Sequence, residues 1–321
     1  MPRKKRSITA EDLYKFQLIK SCAISPDGEN VAYSLHRVDK KNEKKYSNIW
    51  IAPTGAGRPR SFTHGVHSDS SPVWSPNGQQ LAFASGRADG KSQLYVIPFH
   101  GGEARPLTDL QGDFGDFEWS PDGRRIVFSF RQKDAQDIER EADPALQELG
   151  VVSRHHTRVW FKLDGYGFLP QGRWHIWTTD VSTGRTRQLT DGDVHDEVQP
   201  TWSPDGGRIM FISNRSARPD FSPHEGDLFV IPATGGRMRK IPNAGGQQVV
   251  AALLAGRQVD RLLCPGRAQP LVEKQQCVGR ACERTRGCAQ PHRALQPGHD
   301  GRYPQRHGRH TRAAAPDLVP G

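Results

Sequence analysis

Long apolar runs are missing from this 321-residue chain. No stretch of 18 apolar residues occurs, so no membrane-spanning helix is expected. Met1-Pro2-Arg3-Lys4-Lys5-Arg6 is basic, but no apolar segment follows it. It therefore does not read as a secretory signal, and the cytoplasm is the expected compartment. Hydrophobic residues reach only 35% and mean hydropathy is −0.71, thin for a chain long enough for one large or two ordinary domains. Gly-x-Ser-x-Gly is absent, so no turn presenting a serine nucleophile in the α/β-hydrolase manner is encoded. Gly90-Lys91-Ser92 resembles the end of a phosphate loop, but Ser85 stands where the first glycine belongs, and a hairpin turn is the better reading. His64, His67, His155 and His156 have no carboxylate at a diagnostic spacing and read as surface-loop histidines. Cys22 is a lone thiol, expected to be buried. No catalytic, cofactor or metal-binding residue is assigned.

Excess charge is likewise missing from most of the chain. The formal net charge is +10, but residues 249–321 hold 12 Lys/Arg and 5 Asp/Glu, leaving 33 and 30 for the first 248 residues. Interleaved charges of that kind read as a solvated surface rather than a phosphate-binding stripe, so no nucleic-acid partner is expected.

What is abundant is one turn. Trp74-Ser75-Pro76-Asn77-Gly78 is followed by Leu81-Ala82-Phe83, Trp119-Ser120-Pro121-Asp122-Gly123 by Ile126-Val127-Phe128, and Trp202-Ser203-Pro204-Asp205-Gly206 by Ile209-Met210-Phe211. Ile24-Ser25-Pro26-Asp27-Gly28 with Val31-Ala32-Tyr33 is a weaker copy. Proline presets φ, Asp or Asn bonds the local backbone, and glycine accepts the positive φ that ends the turn. The alternation that follows is that of a half-buried strand. The tryptophan before the turn suits a slot between two sheets.

The turn prolines lie at 26, 76, 121 and 204, which gives spacings of 50, 45 and 83. A period near 45 is that of a four-stranded propeller blade. A second recurring unit agrees: Asn48–Pro53, Gln93–Pro98, His175–Asp180 and Asp227–Pro232 each read as a strand running into a glycine-bearing turn. Short strands such as Arg105–Thr108 and Arg187–Thr190 follow. The expected fold is all-β: an incomplete propeller of about four to five four-stranded blades over residues 21–248. A basic lead and short helix with a capping box at Thr9–Asp12 precede it over residues 1–20. The long gap holds an acidic helical insertion at 132–156. Beyond it, Arg158–Leu163 and Trp174–Thr179 are expected to form a hairpin around Gly165-Tyr166-Gly167, elaborating one edge of the third blade. Glu139, Glu141 and Glu148 could hold a substrate ammonium group over a propeller mouth, but a solvated helix face is the better reading.

The composition breaks at residue 249. Residues 249–321 contain no Trp, Phe, Ile, Met, Ser or Asn and hold Cys264, Cys277, Cys282 and Cys288. The cysteine spacings contain no Cys-x2-Cys, so a zinc site is not expected. A disordered basic tail is one reading. A shifted reading frame is the sharper one. Taken from the second base of plausible codons, Gln269–Ala281 can regain a strand ending in proline. Ala255–Leu263 can likewise regain a turn-and-strand unit, and Asp317–Gly321 a Trp-Ser-Pro turn.

Together, Ile8–Leu13, the Ser-Pro-Asp-Gly turns, and Arg158–Phe161 through Gly172–Trp177 resemble the prolyl oligopeptidase superfamily, in its acylaminoacyl-peptidase and dipeptidyl-aminopeptidase-like branch. The likeness runs over about residues 8–248. It implies the N-terminal propeller that caps a serine-type α/β-hydrolase domain and restricts entry to short peptides. The catalytic serine, aspartate and histidine of that family lie beyond its propeller, so no catalytic residue is carried over. The expectation is a truncated, non-catalytic fragment, with short peptide substrates belonging to the full-length parent. A stand-alone TolB-like propeller serving as a protein-binding scaffold is the alternative.

Overall fold

The computed structural model describes residues 7–242 apart from 89, 152 and 224. The tail at 249–321, its cysteines and its shifted frame lie outside the described residues. Within them are four four-stranded antiparallel sheets. Blade 1 is β1 (Leu18–Ile24), β2 (Asn30–Asp39), β3 (Lys44–Pro53) and β4 (Arg60–Ser61). Blade 2 is β5 (Asp69–Trp74), β6 (Gln80–Ala88), β7 (Lys91–Pro98) and β8 (Arg105–Pro106). Blade 3 is β9 (Gly112–Trp119), β10 (Arg125–Gln132), β13 (Trp174–Asp180) and β14 (Thr186–Gln188), with α1 (Ala135–Ala142), α2 (Pro144–Leu149), β11 (Lys162–Leu163) and β12 (Gly167–Phe168) inserted after β10. Blade 4 is β15 (Glu197–Trp202), β16 (Arg208–Ser213), β17 (Asp227–Pro232) and β18 (Arg239–Ile241).

Each Ser-Pro turn closes the first hairpin of its blade with the same bonds. In blade 3 the Gly123 amide donates to the Ser120 carbonyl at 2.8 Å. The Ser120 hydroxyl donates to Asp122 Oδ1 at 2.5 Å and accepts the Arg125 amide at 2.9 Å. Asp122 Oδ1 also accepts the Arg124 amide at 3.1 Å. Serine is needed because its hydroxyl both donates and accepts, and glycine because φ there is 69°.

Successive blades are joined by a repeated contact set. The Trp74 indole donates to the Ala23 carbonyl at 3.0 Å, Trp119 to Val73 at 3.1 Å and Trp202 to Glu118 at 3.3 Å. Each indole thus caps a carbonyl of the preceding blade's first strand. Phe83, Phe128 and Phe211 face backward with the tryptophans, while Ala32, Ala82 and Val127 face forward to meet them. All six are fully buried.

Several expectations need correction. The leading helix is a 3-10 helix, Ala10–Lys15, and β1 begins at Leu18 rather than after residue 20. The Asp12 carboxylate accepts the Thr9 amide at 3.0 Å, as the capping box requires. Cys22 is exposed, not buried. It lies on the backward face of blade 1, where the described residues place no neighbouring blade. Trp174–Asp180 does not pair with Arg158–Leu163: it pairs with β10, from Arg131↔Trp174 to Arg125↔Asp180. That pairing gives Ile176 and Trp177 a buried seat, while Lys162-Leu163 forms a two-residue hairpin with Gly167-Phe168. The elaboration therefore lies between the second and third strands of blade 3, not on its edge.

Candidate functional site

The first strands of successive blades lie side by side, β1 with β5 and β9 with β15. At their starts, opposite the Ser-Pro turns, an acid on the first strand meets an arginine on the second strand or, in blade 4, just beyond it. Asp69 accepts the Ser85 hydroxyl at 2.6 Å and Arg87 at 2.8 Å. Asp113 accepts Arg131 at 2.7 Å, and the Arg131 guanidinium lies 4.7 Å from the Trp174 ring centre. Glu197 is fully buried and accepts Arg215, the Thr190 hydroxyl at 3.0 Å and the His175 ring at 2.7 Å. Asp69 and Glu197 are fully enclosed and tolerable only because each is multiply hydrogen-bonded, whereas Asp113 is exposed. Blade 1 departs from the pattern. Ile19 pairs with Leu35 near the start of its first strand, and Arg37 turns to the Asn48 side chain at 3.1 Å.

The blade-3 insertion adds to this end. Its neck is closed by Asp134, whose carboxylate accepts the Gln171 and Gly172 amides at 3.1 and 3.3 Å. Its return segment docks on blade 4. Arg158 reaches Asp220 at 3.3 Å and Asp196 at 3.4 Å, and Arg173 reaches Asp196 at 3.2 Å and Asp220 at 3.4 Å. The Trp160 indole donates to the Asp220 carbonyl at 2.7 Å. Burial pushes the Asp220 carboxyl up, but the hydrogen bond and charge of Arg158, with the charge of Arg173, outweigh it and hold it below the usual range.

A cavity of about 640 Å³ opens beside this network, lined by Trp160, Gln199, Ser213, Asn214, Asp220 and Glu225 among others. The Ser213 hydroxyl and the Gln199 side-chain carbonyl are buried there without a hydrogen-bond partner. Gln199 sits at φ 53°, and Ser71, four residues before its own turn serine as Gln199 is, sits at φ 52°. That strain therefore belongs to a bulge repeated between blades rather than to this cavity alone. The walls suit a small polar or cationic group. His175 and His195 each bond through Nδ1, to Glu197 and to the Asn214 carbonyl.

Glu139, Glu141 and Glu148 are exposed on the insertion and do not line the cavity. Glu141 pairs with Lys133. His64, His67 and His155 are exposed, and His156 stacks on Phe168 at 5.5 Å. Sequence reading missed the network of Arg158, Arg173, Asp196 and Asp220. Its members are up to 62 residues apart, and no spacing signals their meeting.

Comparison with known proteins agrees with this geometry. The family model described as the TolB beta propeller domain matches residues 9–156. The uncharacterized peptidase YuxL of Bacillus subtilis (strain 168) is 30% identical over 231 residues, 71% of this chain and 34% of the relative. A dipeptidyl-peptidase 5 of Porphyromonas gingivalis is 25% identical over 248 residues, 73% of this chain and 35% of its own. An acylaminoacyl peptidase structure from Pyrococcus horikoshii shares the fold with a TM-score of 0.55 at 18% identity, covering 72% of this chain and 33% of that one. The chain thus spans about a third of the length of the curated relatives it matches. The chain is thus related to peptidases through a TolB-type β-propeller portion.

Proposed function

We propose that this chain is the substrate-gating propeller portion of a cytoplasmic serine-type peptidase of short peptides, without the catalytic α/β-hydrolase part. The carrying observation is the 30% identity to a peptidase of which only 34% is covered. One feature supports it: the chain contains no Gly-x-Ser-x-Gly. In this reading the propeller contributes walls and a narrow approach rather than chemistry, and residues 249–321 are text in a shifted frame. The purified chain should not release chromophore from short peptidyl or acylaminoacyl nitroanilides. Turnover that survives removal of contaminating peptidases would overturn the reading.

The second reading, a TolB-like scaffold, is favoured by a 27% identity over 85 residues to the Tol-Pal system protein TolB of Alkalilimnicola ehrlichii. That match covers 26% of this chain against 71% for the peptidase, so the peptidase reading has the broader support.

A further inference from the structure

The contacts between blades form a repeating code, and the two ends of the described propeller hold its unmatched halves. An added Cβ on Gly78, Gly123 or Gly206 would stand 3.7 Å from Pro26, Pro76 or Pro121 of the preceding turn. Gly28 of blade 1 has nothing within 4 Å of that position, so Gly28 and Pro204 are the unmatched pair. Arginines also reach forward. Arg105, opening the fourth strand of blade 2, donates to the Val181 carbonyl of blade 3 at 2.5 Å. Arg125 lies 4.7 Å from the Trp202 ring centre and reaches the Gly206 and Ala233 carbonyls of blade 4 at 3.4 and 3.5 Å. Blade 4 carries Arg239 and Arg208 at these two places, and they flank a groove of about 660 Å³ along Val230 and Met238.

The backward face of blade 1 is the matching surface. Tyr33 stands where Phe83, Phe128 and Phe211 stand in the other blades, yet it is only half-buried. Ile24, in the tryptophan position, is 42% exposed. Charge is complementary as well: Asp27 and Glu29 flank Gly28, where the other blades place Gln79, Arg124 or Gly207 in the glutamate's position. Residues 249–321 contain no Trp, Phe, Ile or Met.

We propose that the occupant is a second copy of this chain. The forward side of blade 4 in one copy seats the backward side of blade 1 in the other. The same contact made twice closes the four described blades of each copy into one eight-bladed ring. Propellers of four to eight blades are sterically accessible, and a head-to-tail contact closes into a ring when its rotation permits. In that ring Arg208 approaches Gly28, Asp27 and Glu29 of the partner, and Pro204 covers Gly28.

Sedimentation velocity on the full 321-residue chain tests this. The expected result is a dimer at micromolar concentration. Ile24→Lys and Arg239→Glu should each weaken it about tenfold or more while leaving circular dichroism unchanged. Glu29→Arg should weaken it too, and combining it with Arg208→Glu should restore it. Both swaps are at exposed positions, so loss of folding does not confound the outcome. A monomer at every concentration, a dimer indifferent to Ile24→Lys, or an open-ended polymer would each overturn the proposal.

Discussion

The three internal blade interfaces and the backward face of blade 1 are built from the same sequence unit but differ in what meets them. Inside the stack, Trp74, Trp119 and Trp202 find a carbonyl, and Phe83, Phe128 and Phe211 find an aliphatic floor. At the end of the stack the same positions hold Ile24 and Tyr33, and both keep contact with solvent. The difference teaches that the turn and hairpin are local, whereas the core of this fold is made between repeats. A blade buries its faces against neighbours and stays incomplete without them.

The largest effects should separate the two regions. Phe128→Ala empties a fully buried slot between blades 2 and 3 and should cost about 3–5 kcal/mol by urea unfolding. Tyr33→Ala, at the matching position of blade 1, should cost about 1 kcal/mol or less in dilute protein. Equal costs would erase the distinction. Next comes the buried carboxylate: Glu197→Ala strands Arg215 and His175 and should cost about 3 kcal/mol. Glu141→Ala, which frees Lys133 on the exposed insertion, should fall within about 0.5 kcal/mol.

Smaller than the loss of Glu197 is the effect on the indole ladder. Trp202→Phe keeps most of the packing but leaves the Glu118 carbonyl without its donor, a loss of about 1–2 kcal/mol. Ile24→Trp should recover nothing in the dilute chain, because no described carbonyl stands where the indole points. The smallest effect is set by pH. Hydroxyl bonds from Ser182 and Thr183, with their amides, lower the Asp180 carboxyl from 3.8 to about 2. Its stabilising contribution is therefore present above pH 3.8 and is lost as pH falls toward 2. Asp180→Asn should be less stable than the parent at neutral pH, and the two melting curves should converge near pH 2. The turn carboxylates Asp27, Asp122 and Asp205 are lowered by their serines in the same direction, whereas Asn77 makes the blade-2 turn indifferent to acid.

The blades were legible in the sequence because their signals are local. Ser-Pro-Asp-Gly dictates a turn within five residues, and the strands on either side alternate with a period of two. The code between blades was half legible: the tryptophan announced a slot, but its carbonyl partner lies about 46 to 84 residues away and nothing in the letters marks it. Cys22 was misjudged for a related reason. Its alternation is that of a buried residue, and its burial depends on a neighbour rather than on its own strand. The Arg158, Arg173, Asp196 and Asp220 network was invisible, since charged residues in loops obey no period and meet only once the insertion has folded back on blade 4.

The account rests on the claim that this propeller portion derives from a longer peptidase gene whose reading frame changes near residue 249. Sequencing the coding DNA through codon 321 and about 350 codons beyond tests that directly. The account predicts that the second frame restores Trp-Ser-Pro-type turns across codons 250–321. It then predicts a Gly-x-Ser-x-Gly followed by an aspartate and a histidine. A second frame without blade motifs, or one that stops before any Gly-x-Ser-x-Gly, would contradict it.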